Sequence, residues 1–402
     1  MNTFLYSWGS NGECQLGLGG ESNIVEDPSQ AIGYPRRLHQ RITSLQAGAN
    51  HTLIRSEHGT VFAAGDNTDR QLGYRPGRTH TTVEDRLPYF HRRYRNIDFV
   101  AATATSTAYI VNPGNKHNRT RQAMIITEGT GKFGELCRGK EETTAHMDAA
   151  YTDTIWDSEQ FDVTTVANYL PGKVEDFAAG LHHYVAVMRN GDVYGWGKSQ
   201  NGQLGEMLDQ STRKDTKSYN YPTKLDVPFR AVRAVCGKDF TYVIGDPKEG
   251  VHIVFAKETS KVRKDMPLQG HVKDWKDIGA TWQDLFVLDK QGAILSWGPA
   301  RNWQSVPDNL PPIKKMAVGS AHVLALTRDG RLLAWGWATH GNCGPTRNMN
   351  KAGFISNTWH DFQLQGAVVD IGAGFATSFA LIEEDRDVAD EVGEVEESTD
   401  TS

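Results

Sequence analysis

The sequence contains few of the features that indicate membranes, disulfides or redox chemistry. Its 402 residues include four cysteines and no C-x-x-C pair. This argues against a zinc ribbon or redox pair of its own and favours reduced thiols in a cytoplasmic or nuclear protein. No stretch approaches the roughly 18 apolar residues of a membrane span. Met1 to Thr3 lead directly into a predicted strand, so we expect no signal peptide.

The net charge of −6 is unevenly distributed along the chain. Residues 383–402 hold ten acids and one arginine, so the remaining residues carry a small positive excess. That excess is too small to predict nucleic-acid binding. The acidic stretch has few apolar residues and no aromatic ones. We therefore expect a disordered tail at 383–402 after an ordered domain at 1–382.

Motifs that would indicate an enzyme are also missing. The glycine-rich loop Gly129 to Lys132 lacks the spacing and the following helix of a P-loop. No G-x-S-x-G motif is present, and the acidic residues are scattered. The sequence thus predicts a non-enzymatic protein without a cofactor.

Glycine, by contrast, is abundant, with 40 residues, and many of these lie in a repeated phrase. The clearest copy runs from Val174 to Gly205. Alternating apolar residues in Tyr184–Val187 and Val193–Trp196 predict two half-buried strands, and Asn190-Gly191 predicts the hairpin turn between them. An earlier strand ends at Gly180. Three strands in one phrase, with room for a fourth, predict a propeller blade.

The phrase occurs seven times if the two chain ends are counted together. Phe4 to Gly19 is a second half, and Ile371 to Leu381 is a first half. We therefore predict an all-β fold, a seven-bladed β-propeller in which Phe379–Leu381 pairs with Phe4–Trp8 inside one blade, leaving no open sheet edge at the join. The turns that end the seven first strands are predicted at Gly48, Ala102, Gly180, Gly237, Ala280, Gly319 and Gly374.

The phrase V-A-x-G-x-x-H…D-G-x-v-y-x-W-G-x-N-x-x-G-Q-L-G resembles the repeat of the regulator of chromosome condensation family, whose members are seven-bladed propellers. The resemblance covers nearly all of residues 1–382. Within the family the chain looks most like the fungal alpha-tubulin suppressor, or killer-toxin-insensitivity, subfamily, whose propeller begins within a few residues of the start, as here with Tyr6 to Gly12.

This resemblance implies a partner, the small zinc-ribbon protein of diphthamide synthesis. That protein also supports Elongator-dependent modification of wobble uridines in transfer RNA. The alternative is a guanine-nucleotide exchange factor for a small GTPase, the function of the best-known relative. A chromatin-bound exchange factor is expected to carry a basic N-terminal tail, which this sequence lacks.

Three histidines, His51, His183 and His322, share one repeat position and suggest a zinc site near the ring axis. Other blades carry different residues there, predicted as Thr105, Phe240, Gln283 and Thr377. We therefore interpret the histidines as ties between strands and predict no metal site. Cys236 and Cys343 take the positions of an alanine and a leucine, so we interpret them as buried small hydrophobic residues.

One basic and aromatic stretch, Tyr74–Asn96, allows two interpretations. It either contacts RNA or an acidic partner, or it is a solvated insertion pinned by Tyr89 and Phe90. We favour the insertion.

Three tryptophans are the candidate partner-binding residues. Trp282, Trp303 and Trp337 replace mainly small or polar residues on one face of two adjacent predicted blades. They are either gap fillers between loops or a binding hot spot, since tryptophan is enriched where partners anchor. The sequence leaves both possibilities open.

Overall fold

The computed structural model describes residues 2–31, 41–73, 85–115, 118–139, 166–205, 217–299 and 306–384. Nearly all the regular structure in these ranges is strand, arranged in seven antiparallel sheets. The predicted tail from residue 385 onward, Trp303 and residues 74–84 of the basic stretch lie outside the described residues.

The sheets are the blades, numbered here in chain order. Blade 1 contains β1 (Asn2–Ser10), β2 (Ile24–Gln30), β25 (Ala367–Ala373) and β26 (Thr377–Glu384). Blade 2 contains β3 (Ile42–Ala47), β4 (His51–Ser56), β5 (Val61–Asp66) and β6 (Arg86–Tyr94). Blade 3 contains β7 (Phe99–Ala102), β8 (Ser106–Val111), β9 (Ala123–Gly129) and β10 (Val166–Leu170). Blade 4 contains β11 (Val174–Ala179), β12 (His183–Met188), β13 (Val193–Lys198) and β14 (Ser218–Lys224).

Blade 5 contains β15 (Arg233–Cys236), β16 (Thr241–Ile244) and β17 (His252–Phe255), followed by the short helix α1 (Lys261–Lys264). Blade 6 contains β18 (Trp275–Ala280), β19 (Leu285–Asp289) and β20 (Ile294–Trp297). Blade 7 contains β21 (Ile313–Val318), β22 (His322–Thr327), β23 (Leu332–Trp337) and β24 (Phe354–Phe362), with a turn of 3-10 helix at Thr346–Asn348.

The seven blades form a closed ring, as predicted. The first strands contact one another in the order β25, β3, β7, β11, β15, β18, β21 and back to β25. Blade 1 closes the ring because β1 pairs with β26, Phe4 opposite Ile382 and Trp8 opposite Ser378. The strand β26 continues to Glu384, two residues past the expected end of the domain.

Tryptophans of the repeated W-G pair pack between blades. Trp8, Trp196 and Trp335 have no exposed surface. The indole Nε1 of Trp8 donates to the carbonyl of Asn342 at 3.0 Å, and that of Trp196 donates to the carbonyl of Glu135 at 3.1 Å. Each contact joins a blade to the glycine-rich loop of the preceding blade. Burying such a ring contributes roughly 4 to 6 kcal/mol of transfer free energy.

The predicted turn position is wrong by one residue in blades 3 and 6. In blade 4 the amide of Gly180 donates to the carbonyl of His183, three residues later. The same bond is made by Thr103 in blade 3 and by Thr281 in blade 6. Thr103 and Thr281, rather than Ala102 and Ala280, are therefore the equivalents of the turn glycine. The histidine position is consequently filled by Ser106 and Asp284, not by Thr105 and Gln283.

A side-chain exchange accounts for this difference. A Cβ on Gly180 would lie 2.3 Å from Cε1 of His183, so the imidazole requires glycine at the turn. In blade 3 the smaller Ser106 leaves room for Thr103, whose hydroxyl lies 2.6 Å from the serine hydroxyl. Glycine stands at the turn of each blade that carries the histidine, and threonine replaces it in the two blades that carry Ser106 or Asp284 instead.

Blade 5 has three strands because the chain after β17 folds into a covering segment. The side chain of Gln269 accepts from the amide of His252 at 2.9 Å and donates to its carbonyl at 2.7 Å. Arg263 donates to the carbonyl of Ala256 at 2.9 Å. These bonds satisfy edge groups that a fourth strand would otherwise pair. The covering segment therefore takes the place of a fourth strand in this blade.

Candidate partner-binding face

The turns between first and second strands emerge at one end of the ring, together with the loops that follow the third strands. We call this end the upper face; it includes residues 48–50, 181–182, 238–239, 282–283 and 375–376. Backbone bonds join neighbouring turns around the central opening. The amide of Lys238 donates to Trp282, Trp282 to Ser320, and Ser320 to Gly374, at 3.0, 2.8 and 3.1 Å. These bonds connect the turns that form the rim of the opening.

The three repeat histidines do not converge on one point. Nε2 of His51, His183 and His322 lies 3.0 to 3.1 Å from hydroxyls of Thr107, Thr241 and Ser378, each in the next blade. Thr107 and Ser378 donate their own protons to backbone carbonyls, so there the imidazole Nε2 must be the donor. The histidines tie three separate pairs of blades, as the sequence interpretation proposed.

Burial keeps these imidazoles neutral. It lowers the pKa of His51 and of His322 to about 4, and that of His183 to about 3. Their Nδ1 atoms face the turn glycines and have no hydrogen-bond partner among the described residues. Within those residues no group of three or more His, Cys, Asp or Glu side chains is arranged to hold a metal ion.

The loops after the third strands are closed by a buried polar side chain. Gln15 and Gln203 each accept a bond from a backbone amide two residues earlier, at 2.9 and 2.8 Å. Blade 3 uses Glu135 for this bond, so its loop contains a carboxylate with 1% exposure. Oε1 of Glu135 lies 3.3 Å from Nδ1 of His182 on the upper face. The substitution of glutamate for glutamine was visible in the sequence but was not recognised there.

Trp282 lies directly at the central opening. The corrected register makes it the first residue of its turn, a position occupied elsewhere by Ala49, Ala104, Leu181, Lys238, Ser320 and Phe375. The ring of Trp282 is half-buried and packs edge-to-face on Phe375, with centroids 5.5 Å apart. The ammonium of Lys238 lies 5.7 Å from the centroid of the same ring. Its indole Nε1 is buried and has no hydrogen-bond partner among the described residues.

Trp337 is on the same face but in a different environment. Its amide donates to Ala321 at 2.8 Å, one residue after the Ser320 carbonyl that accepts from Trp282. Its ring contacts His340 edge-to-face at 4.7 Å and lies beside Gly353 of the same blade. Trp337 thus packs within the loop of blade 7, whereas Trp282 spans three turns. The backbone amides of both tryptophans thus donate to carbonyls of the same turn in blade 7.

The central channel below the opening has a volume of about 540 Å³ and is lined by first strands of all seven blades. In its lower part, charged side chains occupy the equivalent position of the first strand in five of the blades. Arg233 lies between Asp176 and Asp277 and forms an ion pair with each, and Lys315 pairs with Asp370. The charges of the lower channel are therefore paired across blades.

The interpretation of Tyr74–Asn96 as a solvated insertion is wrong for its second half. Residues 86–94 form the fourth strand of blade 2. Arg93 is 3% exposed, and the hydroxyl of Tyr94 donates to the buried carboxylate of Glu128. Phe90 is buried as predicted, whereas Tyr89 is 38% exposed. The side chains of Arg93 and Tyr94 are therefore used inside the protein rather than presented to RNA.

The cysteines are not placed for nucleophilic chemistry. Cys343 has no exposed surface, and burial raises the pKa of its thiol strongly. Burial also raises the pKa of Cys236 to about 12, although that residue is partly exposed as a whole. Cys343 is a buried small hydrophobic residue, as predicted. Among the described helices, none is long and apolar enough to cross a membrane.

Comparison with known proteins gives a consistent result. One model of the regulator of chromosome condensation (RCC1) repeat matches residues 4–54 and 190–244. A second model of that repeat matches residues 42–71, 174–203 and 313–342. The matched segments lie in blades 1, 2, 4, 5 and 7.

Similar individual proteins span nearly the whole chain. An RCC1 repeat-containing protein of Schizosaccharomyces pombe is 26% identical over 95% of this chain and 99% of its own length. The mouse secretion-regulating guanine nucleotide exchange factor is 24% identical over 94% of this chain and 83% of its own. The crystal structure of human WBSCR16 superposes with a TM-score of 0.69 at 17% identity, covering 96% of this chain and 100% of that one. This structural likeness supports the fold alone.

Proposed function

We propose that this chain, a seven-bladed propeller with segments that match models of the regulator of chromosome condensation (RCC1) repeat, is a non-enzymatic, protein-binding propeller. The observation that carries the proposal is Trp282, a half-buried aromatic residue at the rim of the channel where most other blades have small or polar residues. Large aromatic side chains in such positions commonly anchor partners.

We further propose that the partner is the small zinc-ribbon protein of diphthamide synthesis, bound as a heterodimer. Through this complex the propeller regulates diphthamide synthesis and Elongator-dependent modification of wobble uridines, in the cytoplasm and also in the nucleus. The support for this partner is the resemblance of the first blade, from Tyr6 to Gly12, to the fungal alpha-tubulin suppressor subfamily.

The test is a binding measurement between the two purified proteins. Light scattering after size exclusion should give the mass of a 1:1 complex, and calorimetry should give one site per propeller. Affinity purification of the tagged propeller from cells, followed by mass spectrometry, should recover the zinc-ribbon protein. Absence of a complex in both experiments contradicts the proposed partner.

A guanine-nucleotide exchange factor is the second candidate, favoured by the similarity to the mouse secretion-regulating exchange factor. We expect that nucleotide release from a panel of small GTPases is no faster with this protein than without it. Clear acceleration for one GTPase would replace the first proposal with the second.

A further inference from the structure

The rim of the channel on the upper face divides into an aromatic side and a basic side. Trp282 and Phe375 form the aromatic side, joined by their edge-to-face contact across the turn of blade 7. Lys238 begins the basic side, with its ammonium 5.7 Å from the Trp282 ring. The backbone bonds between neighbouring turns hold these groups in place, so little ordering is needed on binding.

The basic side continues over blades 3 to 5. The turns and loops at 130–139, 181–182, 198–205, 217, 238–239 and 256–258 contain six basic residues and three acidic ones. Four of the lysines are exposed: Lys132, Lys217, Lys238 and Lys257.

Two of the three acids in these segments are buried or paired with a lysine that is not among the four exposed ones. Glu135 is buried, and Asp239 lies 3.6 Å from Nζ of Lys198 and accepts a bond from Asn201 at 2.6 Å. Glu258 is the exposed acid among these segments. Among the described residues of these segments, four exposed lysines accompany one exposed acid, so their exposed charge is positive.

We infer that the channel opening binds an acidic, extended segment of a partner protein that carries an apolar side chain. The carboxylates lie along Lys238 and the neighbouring lysines, and the apolar side chain enters the opening against Trp282 and Phe375. The buried indole N–H of Trp282 lacks an acceptor among the described residues. A carbonyl or carboxylate of the segment supplies one after a small rotation of the ring.

Charge and shape favour a protein segment over RNA. The described basic groups form one arc beside the opening, and the charge of the chain outside its acidic terminus is only slightly positive. A nucleic-acid site usually spreads basic groups along a longer track. The channel, about 540 Å³ in volume, has room for a side chain below the rim. This inference deepens the proposed function by naming the surface and the chemistry that the partner brings.

The test uses the full-length protein and a fluorescein-labelled twelve-residue peptide of alternating Glu and Asp with a central Leu-Phe pair. A second peptide of equal length replaces the acids by Gln and Asn, and a labelled twelve-nucleotide RNA is the third probe. Fluorescence anisotropy measures binding to each. Lys238→Glu and Trp282→Ala are the variants. Lys248→Glu, an exposed lysine of the same blade at the opposite face, is the matched control.

We expect the acidic peptide to bind more tightly than the neutral one and to weaken as salt is added. Lys238→Glu should weaken binding at least about tenfold, since a charge reversal beside a bound carboxylate replaces attraction by repulsion. Lys248→Glu should leave it within about twofold. Lys238→Glu removes no packed side chain, so it remains informative even if Trp282→Ala lowers the melting temperature.

The inference is overturned if the acidic peptide does not bind, or if Lys238→Glu and Lys248→Glu weaken its binding equally. It is also overturned if the RNA binds more tightly than the acidic peptide and the same variants weaken RNA binding. Binding of the proposed zinc-ribbon partner is tested separately from the surface. If the zinc-ribbon protein binds but neither variant nor the acidic peptide affects it, the surface is wrong and the proposed function stands. If the acidic peptide binds as expected and the zinc-ribbon protein does not, the surface stands and the proposed partner is wrong.

Discussion

At the scale of single residues, the two described tryptophans of the candidate set occupy different environments. Trp282 contacts groups on blades 5 and 1 and borders the channel, whereas Trp337 packs against His340 and Gly353 of its own blade. From the sequence the two could not be distinguished, because both replace mainly small or polar residues of other blades. Burial of one face against a loop favours a stabilising role for Trp337.

We therefore predict opposite effects of the two truncations. Trp282→Ala should weaken partner binding by about 2 kcal/mol, the size expected of a hot-spot residue, with little loss of melting temperature. Trp337→Ala should lower the melting temperature and spare binding. Calorimetry measures partner binding, and thermal unfolding measures the melting temperature. Trp303→Ala is the third variant of the set. If Trp282→Ala lowers only the melting temperature, Trp282 is a gap filler.

The buried histidines make stability depend on pH. Their folded pKa values of about 3 to 4 lie below the unfolded value near 6.5, so the unfolded state binds more protons as the pH falls. Their contribution is intact above about pH 6.5 and is lost progressively as the pH falls toward the folded pKa. For a folded pKa of 4 the loss at pH 5 is about 2 kcal/mol per histidine.

Urea unfolding at pH 7.5 and at pH 5 tests this dependence. His183→Gln retains a polar group beside Thr241 but does not titrate, so it should be less destabilised by acid than the native protein. A steeper acid loss in His183→Gln than in the native protein would show that other groups dominate. His58→Gln, the same substitution at an exposed histidine in the turn of blade 2, is the matched control.

At the scale of the structural element, the turn glycine and the histidine that follows it form a coupled pair. A Cβ on Gly180 meets both the imidazole of His183 and, at 2.4 Å, the backbone carbonyl of Gly237. The first contact depends on a side chain and can be removed by mutation, whereas the second involves the backbone and cannot.

Gly180→Ala should therefore destabilise the protein by about 2 kcal/mol or more, as expected for overpacking. His183→Ser in the same chain should recover part of this loss, with a coupling of at least about 0.5 kcal/mol in a double-mutant cycle. Gly12→Ala is the control, because its nearest neighbour to a new Cβ is an Asn23 side-chain oxygen 3.9 Å away. Strict additivity of the two mutations would contradict the coupling.

At the scale of the whole molecule, stability depends on the join between the two ends of the chain. The strand β1 pairs with β26 on one side and β2 on the other, and Trp8 is fully buried against Phe362 at 4.9 Å. Removing β1 would expose β26 and the blade 7 surface together.

Deleting residues 1–8 should thus abolish the soluble monomer, as measured by size exclusion and light scattering. Deleting residues 385–402 should leave the melting temperature nearly unchanged. A second test does not depend on a variant that fails to fold. Thr3 and Glu383 are paired across the join. The double variant Thr3→Cys with Glu383→Cys should therefore form a disulfide and melt at a higher temperature. A soluble, monomeric, undestabilised deletion variant would disprove the closure.

The repeated phrase alone determined the seven blades, the strand order and the closure through Phe4–Trp8, because alternation and turn glycines are local properties of the chain. The position of the turn in blades 3 and 6 was not determined in this way. There Thr103 with Ser106, and Thr281 with Asp284, replace the glycine and histidine pair, and only the bonds between strands reveal the exchange. The conversion of residues 86–94 into a fourth strand likewise depends on pairing with β5. The rim that joins Trp282, Phe375 and Lys238 brings together turns from blades 6, 1 and 5. It exists only because the ring closes and places distant turns around one axis.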